Sequence, residues 1–461
     1  MGIEAAFMVP HPPLIIPEIG KGSEKVVQKT IEAYEQVADE IAQIKPSTII
    51  ISSPHSVMYS DYFHISPGDF AKGDFGGFRA SSVSFKEEYD TVLRDRICEI
   101  ADSARFPAGT LGEKDPCLDH GTMVPLWFIR RKYKGGKIIR IGLSGLSLSD
   151  HYRFGEMIAK AVDECGSRAV FVASGDLSHK LKETGPYGFA PEGPVYDEKI
   201  MEVAKSASFG DMFYFDEDLC EKAAECGHRS FVIMAGTLDG KAVRANVYSH
   251  QDETGVGYGI ASFYPIKNDD TRHFRQMYIE KLKEKVKEKT NNSDEYVRLA
   301  RKSLESYILQ GEVIDIPDNL PDKMLLDKAG VFVSIHKEGN LRGCIGTFLP
   351  TRENVALEII YNAISASTKD PRFTSIKPEE LPFLEINVDV LSSPQDIESK
   401  DELDVKRYGV IVSSGSRRGL LLPDLEGVDT VDRQISIAMQ KGGIYEGEEV
   451  KLQRFEVVRH F

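Results

Sequence analysis

Two hydrophobic patterns alternate along the first part of the chain. Short continuous apolar runs predict strands that are covered on both faces, because such strands have no solvated side. These runs are AAFMV (5–9), STIII (47–51), KIIRIGL (137–143) and RAVFVAS (168–174). Longer segments with apolar residues three or four positions apart, at 25–44 and 153–165, predict amphipathic helices. The alternation indicates an α/β fold.

Later segments modify this picture. RANVYSH (244–250) and GVGYGIASFYP (255–265) predict a closing hairpin, so we expect a mixed rather than a wholly parallel sheet. The stretch that follows, 266–296, is mostly charged or polar, with Ile279, Leu282 and Val286 at helical spacing. We therefore predict a first domain at 1–268, a charged linker helix at 269–292 and a second domain at 293–461.

The second domain begins with a predicted helix at 295–309. Strand patterns follow at 329–349, 383–393 and 408–423, and a long helix is expected from near Glu353. This order of elements predicts a smaller α+β domain.

Composition narrows the class of protein. The chain has 461 residues, 41% hydrophobic and 28% charged, which is ordinary for globular domains. A net charge of −15 argues against a broad nucleic-acid-binding surface. The six cysteines contain no CxxC pair, and the sequence has no signal-like or membrane-spanning run. We expect a reduced, cytoplasmic protein that does not contact a membrane.

Histidines follow three of the predicted strands. His11 comes after AAFMVP, His55 after TIIISSP, and His179 after AVFVASGDLS. The carboxyl ends of parallel strands meet at one edge of a sheet, where ligands bind. Proline or glycine before each histidine ends the strand and directs the side chain toward that edge. The sequence therefore predicts a cluster of imidazoles.

A fourth histidine, His120, precedes a predicted helix in CLDHGTMVPLWFIRRKY and can overhang the same edge. Imidazoles that bind a metal need acceptors for their second ring N–H, and Asp119 and Asp176 lie nearby in sequence. Any one loop histidine is more often simply solvated, so the prediction rests on the shared placement of all four.

The ordered motifs VPHPPLI, SSPH, DHGTMVPL and GDLSH resemble those of the class III extradiol dioxygenases and the Memo-like proteins that share their fold. The resemblance covers most of the first domain. It implies that His11 and His55 are metal ligands, and that His120, Asp176 and His179 are catalytic or pocket-lining residues. It also implies Fe²⁺ with open positions for a bidentate, catechol-like substrate and for oxygen.

The third metal ligand has two candidates, Glu225 and Cys226, in the tract AECGHRSFV. The dioxygenases use a glutamate, whereas the Memo-like proteins use a cysteine in a similar tract. Adjacent residues of a helix point about 100° apart, so both side chains cannot face one metal without irregular backbone. We favour Glu225 for a dioxygenase-type iron centre, while the local resemblance favours Cys226. His228 is a weaker candidate.

In the second domain, EGNLRGCIGTFLP places Cys344 between two glycines and close to Arg342. This tract, with STKDPRF and SSGSRRGLLLP, closely resembles the AMMECR1 family from about residue 293 onward. Cys344 is the candidate catalytic residue here, and Arg342 and Arg372 can form a cationic pocket around its thiol. Alternatively, Asp370 and Arg372 form a structural ion pair at a turn.

Fusion of the two domains resembles the AmmeMemoRadiSam arrangement, whose third component is a radical SAM protein. This chain has no CxxxCxxC motif for an iron–sulfur cluster, so that component is expected to be a separate partner. The leading hypothesis is an Fe²⁺ extradiol-type dioxygenase. Zn²⁺ with Lewis-acid or hydrolytic chemistry is the second, and a Memo-like adaptor without oxygenase activity is the third.

Overall fold

The computed structural model describes residues 2–425 and 427–461. The chain divides into two compact units, the first ending at Tyr278 and the second running from Ile279 to Phe461. The boundary falls within a helix, Phe274–Asn292. Every helix in the described residues is too short or too polar to cross a bilayer.

The first unit contains a central sheet with helices on both faces. Its strands are β1 (Ile3–Val9), β2 (Thr48–Ser53), β3 (Phe63–His64), β4 (Phe70–Phe75), β5 (Ala80–Glu88), β6 (Ala108–Gly109), β7 (Lys137–Gly142), β8 (Ala169–Ser174), β9 (Lys241–Gln251) and β10 (Tyr258–Asn268). The helices that begin in this unit are α1 (Pro17–Gly20), α2 (Gln28–Ile44), α3 (Thr91–Ser103), α4 (His120–Lys132), α5 (Leu148–Glu164), α6 (Glu192–Ser206), α7 (Glu217–Ala223), α8 (His228–Gly236) and α9 (Phe274–Asn292).

The central sheet has the strand order β7-β2-β8-β1-β10-β9. The first four strands are parallel, and the hairpin β9–β10 joins β1 in the antiparallel direction. Neighbouring residues of a central strand enter different cores: Phe171 packs on one side of the sheet and Val172 on the other. This two-sided burial explains the unbroken apolar runs, and it confirms the predicted mixed α/β sheet.

The second unit is an α+β domain with a curled antiparallel sheet of order β12-β11-β13-β17-β15-β16, to which β14 adds beside β17. Its strands are β11 (Gly330–Lys337), β12 (Asn340–Gly346), β13 (Leu384–Leu391), β14 (Gln395–Ile397), β15 (Tyr408–Ser414), β16 (Arg417–Leu421) and β17 (Lys451–His460). Its other helices are α10 (Glu295–Gln310), α11 (Asp322–Leu326), α12 (Val355–Thr368) and α13 (Val431–Lys441).

Several elements leave little trace in the hydrophobic pattern. The hairpin β4–β5 lies mostly on the surface, and its sequence FAKGDF…ASSVSFKEE has few buried positions. Helix α8 is the opposite case, because nearly all of its residues are buried and no polar face reveals the helical period. Both elements border the candidate site described below.

Helices α5 and α8 approach closely at a pair of glycines. A Cβ atom at Gly155 would lie 2.1 Å from the carbonyl oxygen of Ile233 and 2.8 Å from the Cα of Gly236. Only a residue without a side chain fits this contact, which fixes α8 against the rest of the first unit.

We predict that Gly155→Ala lowers stability by about 1–3 kcal/mol, because the added methyl group forces the two helices apart. Lys160→Ala, at an exposed position of the same helix, should change stability by no more than about 0.5 kcal/mol. Thermal unfolding of both variants measures the difference. Equal melting temperatures would show that the helices separate without cost.

Candidate metal and acid–base site

In the turn after β1, two hydrogen bonds hold the peptide group that joins Pro10 to His11. The hydroxyl of Tyr34, on α2, donates to the carbonyl of Pro10. The backbone N–H of His11 donates to Oδ1 of Asp176 at 2.7 Å. The prolines end the strand, and these two bonds fix the direction in which the imidazole leaves it. His11 is buried at 2% exposure.

The hydrogen bonds of His11 determine which ring nitrogen carries the proton. Ser174 donates its single hydroxyl proton to the carbonyl of Gly121 at 2.6 Å. Nδ1 of His11 lies 3.0 Å from the same Ser174 oxygen, so it must be the donor in that contact. Nε2 of His11 therefore presents a lone pair, as a metal ligand requires.

His55 meets His11 from the end of the neighbouring strand β2. The two Nε2 atoms lie 3.0 Å apart, a distance that one shared proton or one cation can bridge. The backbone N–H of His55 donates to Oγ of Ser53, which donates in turn to Oδ1 of Asp119 at 2.6 Å. Asp119 also caps the start of α4. The sequence predicts that Asp119 and Asp176 accept ring N–H groups, but the acceptors for His11 and His179 are Ser174 and the carbonyl of Ala224. Asp119 instead acts through Ser53 and the start of α4, next to His55 and His120.

Cys226 supplies a third donor atom beside the two histidines. Its Sγ lies 3.6 Å from Nε2 of His11, and the donor atoms of His11, His55 and Cys226 all lie within 4.8 Å of one another. The backbone N–H of Asp176 donates to the sulfur at 3.3 Å. His55 is the exposed member of the trio, so the group opens to solvent on that side.

The carboxylate of Glu225 lies outside this donor group. Its Oε2 accepts the backbone N–H of His228 at 2.6 Å, at the start of α8. Burial raises the pKa of Glu225 to about 7. Glu225 and Cys226 fall between α7 and α8, after the left-handed Ala224, so they do not share one helix. The geometry thus favours Cys226 over Glu225 as the third donor.

His228 also lies apart from the cluster. Its Nε2 donates to the carbonyl of Met212 at 3.1 Å, and its Nδ1 lies 3.3 Å from the hydroxyl of Tyr196. Burial lowers its pKa to about 4. Its contacts are those of a neutral core histidine.

Two further imidazoles border the donor group. The ring centroid of His120, the first residue of α4, lies 4.0 Å from that of His55 and 5.4 Å from that of His11. Nδ1 of His179 donates to the carbonyl of Ala224, so Nε2 of His179 is unprotonated and carries a lone pair. That nitrogen lies 3.9 Å from Oδ2 of Asp176. His179 is therefore oriented as a proton acceptor beside a buried carboxylate.

The charge states of the site follow mainly from burial. Burial lowers the pKa values of His11, His55 and His120, and the neighbouring imidazoles lower that of His11 further. Burial raises the pKa of the Asp176 carboxyl and that of the Cys226 thiol. Neutral imidazoles are ready ligands, and the thiol needs a cation to become a thiolate. Two imidazole nitrogens and a sulfur fit a transition-metal cation.

Two loops that bear site residues touch directly. A Cβ atom at Gly175 would lie 2.1 Å from the Cα of Gly227, so the turn carrying Asp176 and the turn carrying Cys226 require glycine at their crossing. On the other side of the first turn, buried Asp197 accepts the backbone N–H of Ser178 at 2.8 Å and Nε2–H of His250 at 2.8 Å. These contacts fix the segment between Asp176 and His179.

Some contributors give no signal in the sequence. Ser174 is the last residue of an apolar strand and Tyr34 lies in the middle of an amphipathic helix, where each looks like an ordinary core position. Their roles depend on residues more than twenty positions away, so local patterns do not reveal them.

The second unit contains the other predicted residues. Asp370 accepts the backbone N–H of Cys344 at 2.8 Å and pairs with the guanidinium of Arg372, which holds the pKa of Asp370 well below its usual range. Arg342 pairs with Glu380 and donates to the carbonyl of Thr374. Ser334 donates to the Cys344 sulfur at 3.3 Å. Both arginines are thus engaged in ion pairs at the edge strand β12, and the catalytic role of Cys344 stays a prediction.

A large cavity of the first unit lies away from this chemistry. It measures about 1310 Å³ and is lined by residues at the amino-terminal ends of the strands, such as Ser47, Lys137 and Arg168. The candidate site lies at the carboxyl-terminal ends of the same strands, so the cavity and the imidazole cluster are on opposite edges of the sheet.

A mixed sheet with imidazoles and a thiol at its carboxyl edge, followed by a curled antiparallel domain, defines a two-domain protein with a dioxygenase-like first domain. Residues 5–261 match the family described as the catalytic LigB subunit of aromatic ring-opening dioxygenase, and residues 297–460 match the AMMECR1 family. The chain belongs to the LigB family and carries an AMMECR1 domain. The combination of families inferred from the motifs is confirmed.

Other proteins match this chain over its full length or over one part. Protein CA_C1420 of Clostridium acetobutylicum is 41% identical over 470 residues, covering 100% of this chain and 99% of that protein. A protein of Thermotoga maritima is 50% identical over 167 residues, covering 36% of this chain and 96% of its own length. The crystal structure of protein PH0010 from Pyrococcus horikoshii has 32% identity and a TM-score of 0.34, covering 36% of this chain and 88% of that one.

We predict that the His250–Asp197 pair makes stability pH-dependent. The hydrogen bond to Asp197 raises the pKa of His250 above 6.5, so its contribution is complete below pH 6.5 and is lost as the pH rises through the raised value. His250 is partly exposed, so the effect should not exceed about 1 kcal/mol. His250→Gln keeps a donor but cannot titrate. Its melting temperature should fall less than that of the wild type above pH 6.5, and parallel curves would contradict this.

Proposed function

We propose that the first unit is a metal-dependent enzyme of the ring-opening dioxygenase type, which acts on a small substrate with two adjacent donor atoms. His11, His55 and Cys226 would hold the cation. The observation that supports this most strongly is the 3.0 Å separation of the two Nε2 atoms, with Sγ of Cys226 at 3.6 Å from one of them. Three protein donors leave coordination positions free for a bidentate ligand.

The identity of the cation is part of the proposal. Membership of the ring-opening family favours Fe²⁺, which would supply redox chemistry with oxygen, whereas Zn²⁺ would supply Lewis acidity alone. The usual oxygen-activating iron site has two histidines and a carboxylate, and Cys226 replaces that hard ligand by a soft one. This single exchange is the reason to retain zinc-dependent Lewis-acid chemistry as the second candidate.

The neighbouring side chains suit proton transfer from a chelating substrate. Nε2 of His179 carries a lone pair and can take the proton of a substrate hydroxyl. Asp176, 3.9 Å away, would stabilise the resulting imidazolium. His120, whose ring lies 4.0 Å from that of His55, can hold or return a second proton. Two imidazoles outside the donor group are therefore available for proton transfer.

The relation to other proteins is a further part of the proposal. A separate radical SAM partner is suggested by the domain combination alone, and the AMMECR1 domain would act on or deliver the substrate. A Memo-like role, in which the same residues hold a metal without catalysis, is the outcome if no substrate is ever converted.

We expect His11→Ala, His55→Ala and Cys226→Ala each to abolish stoichiometric binding of Fe²⁺ or Zn²⁺. Changing a residue that only supports a metal ligand typically lowers metal affinity by about 10–100-fold, and the loss here should be larger. Glu225→Gln is the matched control, because its side chain lies beside Cys226 but binds the start of α8. Metal content after anaerobic purification, with titration of the metal-free protein, measures the effect.

The metal-binding result separates the two candidates for the third ligand. Retention of metal by Cys226→Ala together with loss in Glu225→Gln would contradict the proposed donor set. A folded Cys226→Ala variant, judged by its circular dichroism, is needed for either conclusion.

We expect the iron-loaded protein to convert a catechol and oxygen into a coloured ring-opened product, and His179→Gln to lower kcat by about 10²–10⁴-fold. Gln occupies a similar volume but cannot accept the proton. Absorbance of the product measures turnover. Stoichiometric zinc with no oxygen-dependent turnover would favour the Lewis-acid alternative, and an iron-loaded protein inert toward all bidentate substrates would overturn the proposal.

A further inference from the structure

Two exposed aromatic side chains stand at the candidate site. Phe78 is 40% exposed and Tyr187 is 60% exposed. Each lies against an imidazole that is outside the donor group. The ring of Phe78 contacts that of His120 edge-on, at a centroid distance of 5.5 Å and an angle of 67°. The ring of Tyr187 contacts that of His179 in the same way, at 5.1 Å and 77°.

Both side chains come from connecting segments rather than from the central sheet. Phe78 ends the short turn Gly76–Phe78 between β4 and β5, and its ring packs 6.2 Å from that of buried Phe75. Tyr187 lies in the connection between β8 and α6, just before Gly188, which has a left-handed φ of 75°. The two segments thus add aromatic surface to a site whose donors and bases come from the edge of the sheet.

Covering a solvent-exposed aromatic ring with a ligand removes apolar surface from water, which favours binding. Flat rings also attract a second flat ring, stacked or edge-on. Here one exposed ring accompanies each of the two candidate proton-transfer groups, on loops from different parts of the chain. A ligand bound at the cation and in contact with both His120 and His179 would lie next to both rings.

We propose that Phe78 and Tyr187 are the specificity-determining residues of this site, forming an aromatic rim that holds the flat part of the ligand while its donor atoms face His11, His55 and Cys226. The inference rests on the proposed function. It assigns the discrimination between ligands with and without a ring to these two loop residues rather than to the metal ligands.

The test compares two chelators that bind a cation through two oxygens. Catechol has a ring and acetohydroxamate has none, so a contact with the ring affects only the first. Calorimetric titration of the anaerobic, metal-loaded full-length protein measures both affinities. We expect Phe78→Ala and Tyr187→Ala each to weaken catechol binding about 3–10-fold, and the double variant more, while acetohydroxamate affinity changes less than about twofold.

Two further variants serve as controls. Tyr187→Phe keeps the ring and should retain catechol affinity within about twofold of the wild type. Phe70→Ala removes a ring that is 49% exposed on the same hairpin as Phe78, at the opposite end of strand β4, and should leave both affinities unchanged. Metal content of each variant must equal that of the wild type.

Each outcome decides the matter. Equal losses for catechol and acetohydroxamate would mean that the rings only shield the histidines, and unchanged catechol affinity would mean that they do not touch the ligand. Either result contradicts the proposed role of Phe78 and Tyr187 and leaves the proposed metal-dependent function intact. If neither chelator binds the metal-loaded wild type, the proposed function fails and the rim fails with it.

Discussion

The contacts of one buried residue, Asp176, join two of the three segments that carry the donor atoms, those of His11 and Cys226. Its carboxylate accepts the backbone N–H of His11 after β1, and its own N–H donates to the sulfur of Cys226 before α8. Asp176 itself follows β8, three residues before His179. A hydrogen bond to a charged acceptor contributes about 1.5–3 kcal/mol, and a buried carboxylate without partners would be strongly unfavourable. The relative position of His11 and Cys226 therefore depends on this residue.

The imidazoles of the cluster are partly desolvated and neutral, which has a chemical consequence. His11 and His55 remain unprotonated near neutral pH because burial disfavours their cations. The same burial keeps the thiol of Cys226 protonated until a positive charge approaches. The site is thus arranged to gain stability from a cation. Ser174 and Ala224 fix the tautomers of His11 and His179 in advance, so no ring has to turn when a ligand arrives.

The extent of prediction from sequence differs between the sheet and the site. The four parallel strands follow from their apolar runs, and the histidines that follow β1 and β2 are predicted by Pro10 and Pro54, which stop those strands. The choice between Glu225 and Cys226 could not be made in this way, because both are adjacent in a tract with no regular period. It required the positions of α7, α8 and the turn at Asp176, which meet only in the folded chain.

The sequence by itself determined the two-domain α/β and α+β organisation and the edge of the sheet at which chemistry is concentrated, since periodicity and chain breakers act locally. Tertiary structure alone decided which atoms face one another: the sulfur rather than the carboxylate beside His11, the tautomers of His11 and His179, and the approach of Phe78 and Tyr187 to the two outer histidines. These are contacts between residues far apart in the chain, and no local preference encodes their distance. The physical reason is that the direction of a hydrogen bond, or the position of a ligand atom, depends on two distant segments of the backbone at once.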